Sequence, residues 1–206
     1  MRNHHQAFTE ALAEIERSAD EALHALLGLL LEDSPMLHEH VRRVAHLSVS
    51  AALLMGIREP EVSTMEWAAL LHHASDAGVS RLPGRIGGLE LVRTVPAFAA
   101  SVEMVDALRR EERGMAENRS RLRRGVAVVA VCDRFDTLTM LGTHPVAPGE
   151  ALRILARERF SVSRTEAFGA LCFLSGFDAA AIWGSKRLPG AAPPGRFPLE
   201  ASRPAI

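Results

Sequence analysis

The sequence predicts an all-α protein. Apolar residues recur at spacings of three and four along most of the chain, which is the period of a helix with one buried face. No run of β-branched residues alternates with polar residues, as a half-buried strand would require. The 206 residues are 48% hydrophobic, which is sufficient for one large domain with a packed core.

The first predicted element is an amphipathic helix over residues 6–31. Its apolar stripe consists of residues three or four positions apart, namely Phe8, Leu12, Ile15, Ala19, Ala22, Leu26 and Leu30. The run from Leu26 to Leu31 is apolar on all sides, which is more than a one-sided contact covers. We therefore predict that residues 1–33 make the protein a homodimer through 6–31. The alternative is that the run folds back onto the core of its own chain.

Capping residues place the elements that follow. An aspartate-serine-proline step at residues 33–35 begins a helix that ends at Gly56, and the next helix begins near residues 59–60 and ends where the stretch 74–88 becomes rich in glycine, serine, aspartate and proline. Further helices are predicted over residues 89–113, with a break or kink at Pro96, and over 126–140, 149–159 and 164–174. The proline- and glycine-rich stretch 184–206 predicts a flexible tail, which leaves residues 34–183 as the main domain.

The composition excludes several classes of protein. A net charge of −1 gives no general attraction to nucleic acid or to an anionic membrane. Two cysteines, Cys132 and Cys172, exclude a disulfide framework and a four-cysteine zinc site. No segment reaches the roughly 18 apolar residues that span a bilayer, and the N-terminus lacks the basic start and apolar run of a secretion signal. We therefore expect a cytoplasmic protein without a membrane partner.

Three histidines and one aspartate lie where apolar residues are expected. His40 is on the inward face of its helix, and His72 and His73 follow the apolar run of the next helix. Asp133 lies in the most apolar helix, where a carboxylate is costly unless it is paired or binds a metal. Imidazole and carboxylate groups on separate helices are typical of a first-row metal site. The alternative is that Asp133 caps a helix or pairs with an arginine such as Arg134, with the histidines as satisfied core groups.

Three blocks of the sequence resemble the HD-GYP subgroup of HD-domain proteins. The blocks are HVRRVA at residues 40–45, AALLHH at 68–73 and VCDRFDTLT at 131–139. In this order they are similar to the family's first histidine before an arginine-valine pair, its His-Asp dyad and its late aspartate. The resemblance covers about residues 40–178. It implies an HD-domain-like helical bundle with an extra N-terminal helix, hydrolysis of cyclic di-GMP and two or three bound metals.

Departures from the family pattern limit what can be carried over. The aspartate of the dyad corresponds to His73, the family's next histidine corresponds to Val95, and its paired histidines and Gly-Tyr-Pro loop correspond to a stretch beginning at Arg109. That stretch has no histidine and no tyrosine. The remaining expected ligands are His40, His72, His73 and Asp133. Asp76, three residues after His73, is a candidate partner of that histidine or a substitute ligand. We expect at most one ion, and zinc, iron or nickel rather than magnesium, because imidazole adds no negative charge.

Seven arginines lie within residues 109–124. Guanidinium groups suit phosphate, so the candidate phosphate-binding residues are Arg109, Arg110 and Arg113. Interleaved glutamates and the absence of an aromatic residue favour a solvated surface instead, and we expect no nucleic-acid partner.

Two functions are compatible with this pattern. The first is a catalytically degenerate HD-GYP-like domain, a signalling or protein-interaction module without catalytic residues. The second is a one-metal phosphohydrolase acting on a phosphomonoester or a nucleotide. His73 distinguishes them, because the family's chemistry requires a carboxylate at that position. We expect no activity on cyclic di-GMP in either case.

Overall fold

Helices joined by short turns make up the described parts of the chain. The computed structural model describes residues 18–28, 30–74, 88–113, 122–158 and 162–183, and no strand occurs among them. Residues 18–28 form α1. The helices that follow are α2 Pro35–Leu54, α3 Glu61–Leu71, α4 Gly88–Arg93, α5 Ala99–Glu112, α6 Arg123–Asp136, α7 Pro148–Arg157, α8 Val162–Leu174 and α9 Ala179–Trp183. The all-α prediction is confirmed. The predicted tail, 184–206, lies outside the described residues.

The predicted breakpoints are where the helices begin and end. Pro35 occupies the first turn of α2, although the Ser34 side chain makes no capping hydrogen bond. Gly56 follows α2 with φ +71°, a left-handed conformation that glycine adopts without strain. The predicted helix over 89–113 is interrupted at Pro96, where a 3₁₀ turn separates α4 from α5. A π-helical turn, Thr137–Leu141, extends α6.

Helix α6 lies at the centre of the fold, in contact with α2, α3, α5, α7 and α8. Its buried residues include Val128 and Val129, both 0% exposed, as its nearly all-apolar sequence predicts. Gly125 lets α6 approach its neighbours closely. A Cβ at this position would lie 2.7 Å from Met104 Cε and 2.9 Å from Met65 Cγ. The predicted ligand Asp133 is therefore carried by a tightly packed helix.

Helix α1 packs against the core of its own chain. Leu23, Leu27, Leu30 and Leu31 are at most 9% exposed within a single protein chain, and Trp67 Nε1 donates a hydrogen bond to Asp20 Oδ1 at 3.3 Å. Leu27, Leu30 and Leu31 of the apolar run used to predict a dimer are thus covered without a second copy, as in the alternative interpretation. The homodimer stays a prediction, and the first half of its stripe, residues 6–17, lies outside the described residues.

None of the helices in the described ranges combines the length and the apolar character needed to cross a membrane.

Candidate metal centre

Three separate elements bring the four predicted ligands together. Helix α2 carries His40, the turn that follows α3 carries His72 and His73, and α6 carries Asp133. One donor atom from each side chain lies within 4.8 Å of the donor atoms of the other three. The residues that the sequence pattern singled out as ligands therefore meet at one place in the fold.

Three polar atoms at this place are buried and have no hydrogen-bond partner. They are His40 Nε2, His72 Nε2 and Asp133 Oδ1. The oxygen lies 3.1 Å from His40 Nε2 and 3.4 Å from His72 Nε2, close contacts that lack hydrogen-bond geometry. Two ligand atoms each about 2.0–2.1 Å from a tetrahedral zinc are about 3.3 Å apart, so both separations fit a shared ion. An unsatisfied buried polar atom costs about 1–3 kcal/mol, which a bound ion would offset.

A further carboxylate orients His40. Asp136 is 2% exposed, and its Oδ2 lies 2.7 Å from His40 Nδ1. Arg43 donates to both oxygens of this carboxylate, from Nε to Oδ1 at 2.7 Å and from Nη2 to Oδ2 at 2.9 Å. An ionised carboxylate only accepts hydrogen bonds, so Nδ1 is the donor and Nε2 faces Asp133. Sequence reasoning missed Asp136 and Arg43. The sequence did contain a signal. Asp136 follows Asp133 by three residues and Arg43 follows His40 by three, so the members of each pair lie on one helix face.

The backbone orients His72. Its Nδ1 lies 2.5 Å from the carbonyl oxygen of Ala69 one turn earlier in α3. Because a carbonyl oxygen only accepts, Nδ1 carries the proton and Nε2 is directed at Asp133. The Arg109 guanidinium donates to the His72 carbonyl at 3.3 Å, which ties α5 to this turn.

His73 completes the cluster on its more open side. Its ring centroid lies 4.1 Å from that of His72 and 5.2 Å from that of His40. Asp133 is also partly accessible, with 24% of its side chain exposed, whereas the His72 side chain is 8% exposed. The centre is therefore buried on the α2 side and open to solvent near His73 and Asp133.

Burial and neighbouring charges have opposite effects on the ionisable groups of the centre. Burial would raise the pKa of Asp133, but contacts with His40 and His72 hold this pKa well below its usual range. Burial would likewise raise the pKa of Asp136, and His40 and Arg43 lower it. For His40, burial favours the neutral form, yet Asp133 and Asp136 raise its pKa to about 9. A proton and a metal ion are therefore alternative occupants of His40 Nε2.

Those other predicted site residues that the structure describes lie outside the four-residue cluster. Asp76 lies outside the described residues. Arg109 contacts the centre through a backbone carbonyl, and Arg110 and Arg113 are exposed near the end of α5. Arg134, the predicted alternative partner of Asp133, pairs instead with Glu158, with its Nε 3.3 Å from Oε1.

No family model, no curated protein and no solved structure matches this chain. The resemblance to HD-domain proteins therefore stays a prediction that depends on the three sequence blocks.

Proposed function

We propose that this chain is an HD-GYP-like helical module in which one divalent ion joins α2, the end of α3 and α6. The module serves signalling or protein interaction and does not hydrolyse cyclic di-GMP. One observation carries the proposal. Three buried donor atoms without hydrogen bonds converge beside His73, which supplies a fourth donor.

The donor set fits a structural ion. The cluster offers three imidazoles and one carboxylate, which are four ligands in all. In structural sites zinc takes four protein ligands, and no position is left for water. Nitrogen-rich ligands favour zinc, nickel or iron over magnesium, which prefers an all-oxygen shell. When bound, the ion would tie the end of α3 to α2 and α6, which the contacts of Asp136 with His40 and Arg43 already join to each other.

The same donor set argues against a two-metal enzyme. Two ions about 4 Å apart share bridging ligands, usually carboxylates, in enzymes that cleave phosphodiesters. Asp133 is the one carboxylate among the four donors, and His73 stands where the family's dyad has its aspartate. Neutral imidazole binds an ion through one nitrogen and does not bridge. We therefore expect no turnover of cyclic di-GMP with any added metal.

The test is metal content followed by spectroscopy. Protein purified without a histidine tag is loaded with zinc or cobalt, dialysed and measured for bound ion per chain, with His72→Ala as the control. We expect one ion in the native chain, a strong visible absorption for the cobalt form, as four-coordinate cobalt gives, and neither in the variant. Two or more ions per chain, or none after loading, would contradict the proposal.

A one-metal phosphohydrolase is the second candidate, and one observation favours it. Asp133 also lines a groove of about 200 Å³. The other charged residues of the groove are Arg134, Arg164, Glu112 and Glu158, and each arginine is paired with a glutamate. An ion with a further position open to this groove would act as a Lewis acid on a bound phosphoester. Weak cobalt absorption, together with turnover of a phosphomonoester or nucleotide that His72→Ala abolishes, would establish this function in place of the structural one.

A further inference from the structure

We infer that Asp136 is a positioning residue of the metal centre, which holds the His40 ring so that Nε2 is directed at the ion, and that Arg43 holds Asp136 in turn. This inference rests on the proposed metal centre. It adds two residues that determine how tightly the ion is held, although neither of them is a ligand.

Helix α6 contacts the His40 ring at both of its nitrogen atoms. Asp136 Oδ2 lies 2.7 Å from Nδ1, and Asp133 Oδ1 lies 3.1 Å from Nε2. His40 is 0% exposed, so no water replaces either contact. Flipping the ring would break the hydrogen bond to Asp136 and turn the donor nitrogen away from Asp133. The ring is therefore locked in the orientation that binding requires.

Arg43 explains why Asp136 positions a ligand and is not one itself. Both carboxylate oxygens are already used, Oδ1 by Arg43 Nε and Oδ2 by His40 Nδ1 and Arg43 Nη2. The two-point contact with the guanidinium fixes the plane of the carboxylate and compensates its buried charge. His40 and Arg43 are three residues apart on α2, so one helix supplies every donor to Asp136 in this network.

His72 provides an internal comparison. Its Nδ1 donates to the backbone carbonyl of Ala69, so no second side chain takes part in this contact. The orientation of His40 depends instead on the side chain of Asp136. A substitution at Asp136 therefore releases one of these two ligands and leaves the orientation of the other intact.

The experiment compares zinc affinity in Asp136→Asn and in a matched control. Asparagine keeps the size of the side chain but removes its charge, and it weakens both the His40 and the Arg43 contacts. We expect zinc affinity, measured by competition with a chromophoric chelator, to fall about 10–100-fold. The control is Asp106→Asn, which removes a carboxylate 3.0 Å from Arg93 Nη2 but contacts no histidine. Its zinc affinity should equal that of the native chain.

A second measurement separates positioning from general stability. In the zinc-loaded native protein, long-range proton–nitrogen spectra of labelled histidine should place the proton of His40 on Nδ1 and the metal on Nε2. In Asp136→Asn the signal of the Nδ1 proton should move upfield, because an amide oxygen accepts a weaker hydrogen bond than a carboxylate, while the His72 signals stay unchanged.

Three outcomes would overturn the inference. They are an unchanged zinc affinity in Asp136→Asn, an equal loss in Asp106→Asn, and a His40 proton on Nε2 in the native zinc form. The last measurement decides the matter even if Asp136→Asn does not fold. Failure of the native chain to bind zinc is a separate result, because it overturns the proposed metal centre and this inference with it.

Discussion

Around His40, two carboxylates and an arginine form a network of buried and half-buried groups, whereas the arginines at the end of α5 lie at or near the surface. In the first region the charged groups meet at 2.7 to 3.1 Å. In the second, Arg110 and Arg113 are exposed, and Arg109 reaches a backbone carbonyl. A buried charge requires a specific partner, because the interior gives it no water, while an exposed charge is already solvated. Burial is therefore a better guide to a site than a high local density of charges.

Removal of a predicted ligand should give the largest difference in zinc affinity between substitutions in the two regions. Asp133→Asn takes away the one charged donor of the cluster, so we expect a greater loss of zinc affinity than the about 10–100-fold loss expected for Asp136→Asn. Arg110→Ala should leave zinc affinity unchanged. Chelator competition measures both. An equal loss in the arginine variant would mean that the end of α5 belongs to the centre.

The same contrast between buried and exposed positions applies to apolar side chains. Leu27 of α1 is 1% exposed and Leu53 of α2 is 60% exposed. We expect Leu27→Ala to lower the free energy of unfolding by about 2–5 kcal/mol, and Leu53→Ala to change it little. Urea denaturation gives both values, and light scattering gives the mass. If Leu27→Ala dissociates a dimer and leaves the stability of each chain unchanged, α1 belongs to an interface rather than to the core.

A smaller effect is expected from the arginine that does contact the centre. Arg109→Ala removes the hydrogen bond to the carbonyl of His72, which is worth about 0.5–1.5 kcal/mol of folding stability. Arg113→Ala, at an exposed position, should have no measurable effect. Parallel urea titrations compare the two variants. Equal stability of both would show that the α5 contact contributes nothing.

The smallest effect should be seen at the two thiols. Cys132 and Cys172 are both 0% exposed, and burial raises the pKa of each thiol to about 12. Only the thiolate reacts, and raising the pH to 8 leaves both groups protonated. We expect no labelling by a disulfide reagent at pH 8 until guanidinium unfolds the chain. Rapid labelling of the native protein would show that α6 or α8 opens readily.

The sequence was sufficient to find the four residues that meet in the cluster but not what orients them. His40 and Asp133 could be identified because each interrupts an apolar helix face, where a polar group needs a reason to be buried. The break at Pro96 could be predicted because proline has no backbone donor. Asp136 was missed, because its three-residue spacing from Asp133 places it on the same helix face but does not show its hydrogen bond to His40. An apolar stripe also does not show whether a helix packs on its own chain or on a second copy, since both contacts bury the same surface.

The separation of 96 positions between His40 and Asp136 also determines when the centre can be completed. During synthesis the histidines of α2 and of the turn after α3 emerge first, and at about 5–20 residues per second α6 follows several seconds later. Until then the His40 ring turns freely and neither aspartate is present. An ion that arrived early would find the imidazoles without the carboxylates. Assembly of the proposed centre would therefore wait until α6 has docked.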